Sequence, residues 1–155
     1  IENCKLLSDA GFNQHVSVNY SFNVIDERPE TIRQTIAYHR ELERIFGPEK
    51  VEPAIFFIGL QPHTHLEQYG FEKKIIKPGY NPMSMMPWTA RKLLWNPEPM
   101  GKIFGELCLE AFDTNPNNFG RTVFDLLERD YGAASLEESL RAPLEGRRAI
   151  ANAVT

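Results

Sequence analysis

A row of small polar side chains runs along one face of a predicted strand. Apolar and polar residues alternate over residues 16–25, and the polar positions are Ser17, Asn19, Ser21 and Asn23. Alternation with a period of two places these four side chains on the same face of a strand. Hydroxyl and amide groups donate and accept hydrogen bonds without carrying charge. The face is therefore suited to binding a polar organic ligand, and the alternative is a strand face exposed to water.

Three acidic residues, Asp26, Glu27 and Glu30, follow this strand directly. Carboxylates at such a position could bind ribose hydroxyls or act as general bases. Negative charge is also favourable at the N-terminus of the helix that is predicted to begin near Thr31. The helix-terminus interpretation is the simpler one, and the catalytic interpretation stays open as an alternative.

The sequence predicts no metal ligands in this chain. His63 and His65 are two residues apart, a spacing that would place them on one face only in a strand, and no third ligand stands nearby. Cys4 and Cys108, the two cysteines, lack a histidine or cysteine partner at ligand spacing. Without a disulfide framework, a reducing compartment and hence a cytoplasmic location are the simplest expectation.

The elements that must position these residues form a βαβ pattern. After the polar-faced strand, apolar residues recur at helical spacing to Phe46, and Gly47-Pro48 ends the helix. Residues 54–60 are apolar on both faces, as parallel strands covered by helices are. Strand, helix and strand in this order predict two parallel strands joined by a right-handed crossover.

The rest of the chain is predicted to be mainly helical. Helices are expected at residues 88–95, 100–112 and 119–131, and a further one from Ser135. We expect an α/β fold in two parts: residues 1–95 as the C-terminal portion of a partial (β/α) TIM-like barrel, and residues 96–155 as a helical C-terminal extension. Because a helical pattern is already under way at Ile1, the chain is expected to be part of a longer polypeptide.

Several short motifs resemble one family of barrel enzymes. The chain has a helix ending in Ala10-Gly11, a strand, the turn Asp26-Glu27-Arg28-Pro29-Glu30-Thr31 and a second threonine at Thr35. This order is similar to the helix, strand and G-L-P-G-E-T turn of radical S-adenosylmethionine (radical SAM) enzymes. Residues 62–66 match that family's P-x-T-x-L turn, and Tyr80-Asn81-Pro82 resembles the Y-D-P of several cobalamin-dependent members. The likeness covers about residues 6–90.

The resemblance implies a function for the polar strand. Radical SAM enzymes bind S-adenosylmethionine in the barrel lumen, beside a 4Fe–4S cluster held by a CxxxCxxC motif. That motif is absent here, so its ligands would lie upstream in the same polypeptide. The parent protein is expected to be an oxidoreductase or methyltransferase, with cobalamin as one alternative cofactor, and this chain alone is expected to be inactive. The residues expected to bind the cofactor are Asn19, Ser21, Asn23, Val24 and Gln61.

Composition limits the other partners. The 155-residue chain is 42% hydrophobic and 25% charged, as globular domains are, and its net charge of -4 gives no reason to expect nucleic-acid binding. No apolar run reaches the ~20 residues of a membrane-spanning helix. The expected partners are a small-molecule substrate and the upstream polypeptide. Two alternatives remain: a non-catalytic interaction domain descended from such a barrel, and a different barrel enzyme using Asp26 or Glu30 as a general base.

Overall fold

A computed structural model describes residues 1–76 and 94–132 of the chain. The described elements, in chain order, are α1 (Glu2–Asp9), β1 (Val16–Phe22), α2 (Pro29–Phe46), β2 (Val51–Gly59), α3 (His65–Glu72), β3 (Leu94–Trp95), α4 (Met100–Thr114), a short 3-10 helix (Pro116–Asn118) and α5 (Phe119–Tyr131). The chain is therefore a mixed α/β protein, as the sequence predicts. The predicted helix from Ser135 lies outside the described residues.

The central sheet confirms the βαβ prediction. Strands β1 and β2 are parallel, with Val16 paired to Val51 and Phe22 to Phe57, and α2 connects them. The third strand, β3, pairs antiparallel with the end of β2, and the described order is β1-β2-β3. Residues 94–95 thus form a strand where the sequence predicted the end of a helix, and residues 88–93 lie outside the described part. A closed barrel stays a prediction.

Helix α2 begins earlier than the sequence predicted. Its first residue is Pro29, and Arg28 is the N-cap. Proline is favoured at the first position of a helix because its missing N–H has no partner there and its φ is already helical. Thr31 then lies in the first turn, where its hydroxyl accepts a hydrogen bond from the Arg28 N–H at 3.1 Å. The helix therefore begins two residues before the predicted start near Thr31.

One hydrophobic core joins the strands to the C-terminal helices. The β1 face that carries Tyr20 and Phe22 packs against α2, α4 and α5. The buried residues of this core are Tyr20, Phe22, Ile32, Ile36, Phe104, Leu107, Ala111, Val123, Phe124 and Leu127. A second cluster of Leu42, Phe46 and Val51 lies near α1. The larger core crosses the predicted division between residues 1–95 and 96–155, so the two parts share their packing.

The contact between α5 and β2 is unusually close. At Gly120 a Cβ atom would overlap the carbonyl oxygen of Pro53 and lie 2.9 Å from its carbonyl carbon. Only a residue without a side chain allows this approach of helix to strand. The helices are therefore fixed tightly to one face of the sheet.

Candidate functional site

The opposite face of the sheet is open in the described part of the chain. Ser17, Asn19 and Ser21 are all exposed. Their registered neighbours on β2 include Ala54 and Phe56, and Phe56 is half exposed. Because paired residues of neighbouring strands share a face, these side chains form one continuous surface of hydroxyl, amide and apolar groups, with the exposed carboxylate of Glu52 beside Ser17. We call this surface, made of Ser17, Asn19, Ser21, Ala54 and Phe56, the open face.

Asn23 lies apart from the open face. Strand β1 ends at Phe22, and Asn23 has a φ of 55°, in the left-handed region that asparagine tolerates better than most residues. The side chain is buried, and its amide donates to Asn96 Oδ1 at 2.6 Å and to the Pro97 carbonyl at 2.9 Å. Asn23 therefore joins the end of β1 to the segment before α4, and both of its amide hydrogens are used within the protein.

The other two predicted cofactor residues follow the parallel strands. Val24 is half-buried just after β1, and Gln61 is exposed just after β2. The carboxyl ends of neighbouring parallel strands meet at the same edge of a sheet. The five predicted residues thus fall into three groups. Asn19 and Ser21 lie on the open face, Val24 and Gln61 at its carboxyl edge, and Asn23 beneath that edge.

Glu27 is the acidic residue with the most distinctive surroundings. Its carboxylate accepts a hydrogen bond from the Thr31 hydroxyl, and the nearby backbone N–H groups of Asn23, Val24 and Arg28 also favour its charged form. Burial nevertheless raises the pKa of Glu27, more than these bonds lower it. A raised pKa suits a group that exchanges protons. The sequence favoured a helix-terminus role for Glu27 and left a catalytic role open as the alternative.

The other two acids of this turn are in plainer surroundings. Asp26 is exposed and has a φ of 62°. Glu30 forms an exposed ion pair with Arg33 at 3.0 Å. An exposed pair of this kind contributes little to stability and leaves the carboxylate in water. Neither arrangement resembles that of a preorganised general base.

The turn after β2 has the geometry that its Pro-x-Thr sequence suggests. Thr64 caps α3: its hydroxyl accepts from the Glu67 N–H at 3.3 Å and donates to the Gln61 carbonyl at 2.8 Å. The Glu67 carboxylate in turn accepts from the His63 N–H at 2.8 Å. These reciprocal bonds are those of a helix cap. His63 and His65 remain exposed on the turn, and the described residues contain no cluster of three metal-ligating side chains.

A buried polar network lies behind the open face, on the covered side of β1. The Tyr20 hydroxyl is 3.0 Å from His39 Nδ1, and His39 Nε2 is 3.5 Å from Glu43 Oε1. Glu43 also pairs with Arg40 at 2.8 Å and with Arg121 at 2.7 Å. His39 lies on the buried face of α2, together with Ile32 and Ile36. The contact of His39 with Tyr20 was missed because Tyr20 lies on a separate element, β1.

The charges in this network follow from burial. Burial lowers the pKa of His39 to about 4, so the imidazole is neutral at pH 7. Burial alone would raise the pKa of Glu43, but its hydrogen bonds and ion pair with Arg40, helped by His39 and Arg121, lower it. A neutral imidazole can accept from the Tyr20 hydroxyl at Nδ1, whereas its Nε2, 3.5 Å from Glu43 Oε1, makes no hydrogen bond in the described part of the chain. The network therefore has a structural role, since it lies away from the open face.

A cleft of about 460 Å³ lies at the amino end of the parallel strands, near Val51 and His15. Arg121 lines it but is already bound to Glu43 and to the carbonyls of Pro48 and Val51. The cleft lies at the opposite end of the strands from Val24 and Gln61. It is therefore separate from the predicted cofactor residues.

Comparison with known proteins identifies no relative of the chain. No protein-family model, curated protein or solved structure matches the chain. None of the helices in residues 1–76 and 94–132 combines the length and apolarity needed to cross a membrane. The function must therefore be argued from the geometry of the open face and its edge.

Proposed function

We propose that the chain forms part of the cofactor and substrate lumen of a cytoplasmic radical SAM enzyme. The observation that carries the proposal is that one face of β1 is buried and the other is exposed. Tyr20 and Phe22 pack under helices, whereas Asn19 and Ser21 are exposed beside a parallel partner strand. A parallel barrel has this layering, with helices outside and one strand face inside. Polar groups on the inner face support ligand binding, since a purely structural barrel fills its lumen with branched apolar residues.

The residues of the open face and its edge suit S-adenosylmethionine. Asn19, Ser21 and Gln61 offer uncharged donors and acceptors for the polar groups of the cofactor, and Val24 offers an apolar contact for the adenine ring. Asn23, whose amide is engaged with Asn96 and Pro97, would hold the edge in position. When bound, S-adenosylmethionine would supply the reactive adenosyl or methyl group, and cobalamin is one alternative second cofactor.

The iron–sulfur cluster would be held elsewhere in the polypeptide. A radical SAM cluster needs three closely spaced thiolates, and this chain has two cysteines, Cys4 and Cys108. Under the proposal, the upstream part of the polypeptide supplies these ligands and the remaining strands of the lumen. This chain would contribute hydrogen bonds, shape and the exclusion of water around a small-molecule substrate.

The test is cofactor binding by the full-length protein, reconstituted with iron and sulfide. Asn19→Leu removes an exposed amide from the open face, and we expect S-adenosylmethionine to bind about tenfold or more weakly, since an unmade hydrogen bond in a closed site costs about 1–3 kcal/mol. Asn117→Leu is the matched control, because Asn117 is exposed in the turn between α4 and α5. Normal binding of S-adenosylmethionine by Asn19→Leu would show that Asn19 is not part of the cofactor site.

A second candidate, a non-catalytic interaction domain, is favoured by one feature. Both amide hydrogens of Asn23 are bonded to Asn96 and Pro97. This predicted cofactor residue therefore has a structural role that needs no ligand. The two functions differ in the full-length protein. Uptake of a 4Fe–4S cluster and cleavage of S-adenosylmethionine support the enzyme, whereas a full-length protein that binds no iron supports the interaction domain.

A further inference from the structure

We draw no further inference here: the strongest candidate, the exposed apolar face of α4 at Leu109 and Phe112, carries nothing because nothing in the described part of the structure shows what covers it.

Discussion

The buried imidazole of His39 makes the stability of the fold dependent on pH. His39 is fully buried, 3.0 Å from the Tyr20 hydroxyl and stacked on Phe124 with ring centroids 4.3 Å apart. Its ordinary pKa is 6.5, and burial lowers the pKa to about 4 in the folded protein. The unfolded state therefore binds a proton at a higher pH than the folded state. Between these two values, acid must favour unfolding.

The size of the effect follows from the two pKa values. The stability that His39 contributes is fully present above about pH 7 and falls as the pH drops below 6.5. By about pH 5 the unfolded chain is almost fully protonated at this residue and the folded chain is mostly neutral, which corresponds to a loss of about 2 kcal/mol. Other residues oppose or reinforce the effect of burial: Glu43 and Asp125 favour the charged imidazole, while Arg40 and Arg121 disfavour it.

The measurement is urea unfolding of the chain at about pH 8 and about pH 5, with a His39→Gln variant as the control. Glutamine can keep a polar contact with Tyr20 but cannot be protonated, so its stability should change far less between these pH values. Proton NMR of the imidazole C–H signals gives the folded pKa directly. Equal stability of the native chain at both pH values would refute the reasoning. So would an undiminished pH dependence in the His39→Gln variant.

Two further predictions concern single contacts. Gly120→Ala should destabilise the fold by about 1–3 kcal/mol or more, because the new Cβ overlaps the Pro53 carbonyl. Gly105→Ala should instead stabilise the fold by up to about 1 kcal/mol, since that helical position is open. Thermal unfolding of dilute samples compares them, and equal shifts would contradict the close approach. Asn23→Ala should cost about 1–3 kcal/mol by leaving the Asn96 and Pro97 acceptors unpaired, while an exposed asparagine such as Asn117 should tolerate alanine within about 0.5 kcal/mol. Similar urea midpoints for the two asparagine variants would contradict this role of Asn23.

The sequence predicted the elements with a strong local signal. The alternation along β1 and the helical spacing of Ile32, Ile36 and His39 identified a strand, a helix and the parallel connection to β2. The same alternation extended the strand past its true end at Phe22. Asn23 continues the polar pattern, but its left-handed φ and its bonds to Asn96 and Pro97 end the strand there. Those partners are more than 70 positions away in the chain, so no local pattern reveals them.

The sequence predicted only part of the candidate site, because the rest depends on contacts between distant parts of the chain. Exposure of Asn19, Ser21 and Gln61 follows from alternation and from their place at strand ends. The surroundings of Glu27 depend on how the turn folds back over its carboxylate. The two-residue strand β3 was missed because its pairing with Ile58 and Gly59 is a tertiary contact in a segment too short to show a period.

Packing on the covered face of β1 fixes the side chains on its open face. On the covered side, Tyr20 is held by His39 and packs on Phe124 at 4.7 Å between ring centroids. Because successive side chains of a strand point to opposite faces, fixing Tyr20 also fixes the direction in which its neighbours Asn19 and Ser21 point. A site built on exposed hydrogen-bonding groups needs this rigidity, since freely moving donors lose affinity when a ligand orders them. Acid that favours unfolding through His39 should therefore also reduce binding at the site proposed on the open face, and the two effects should share the dependence on His39.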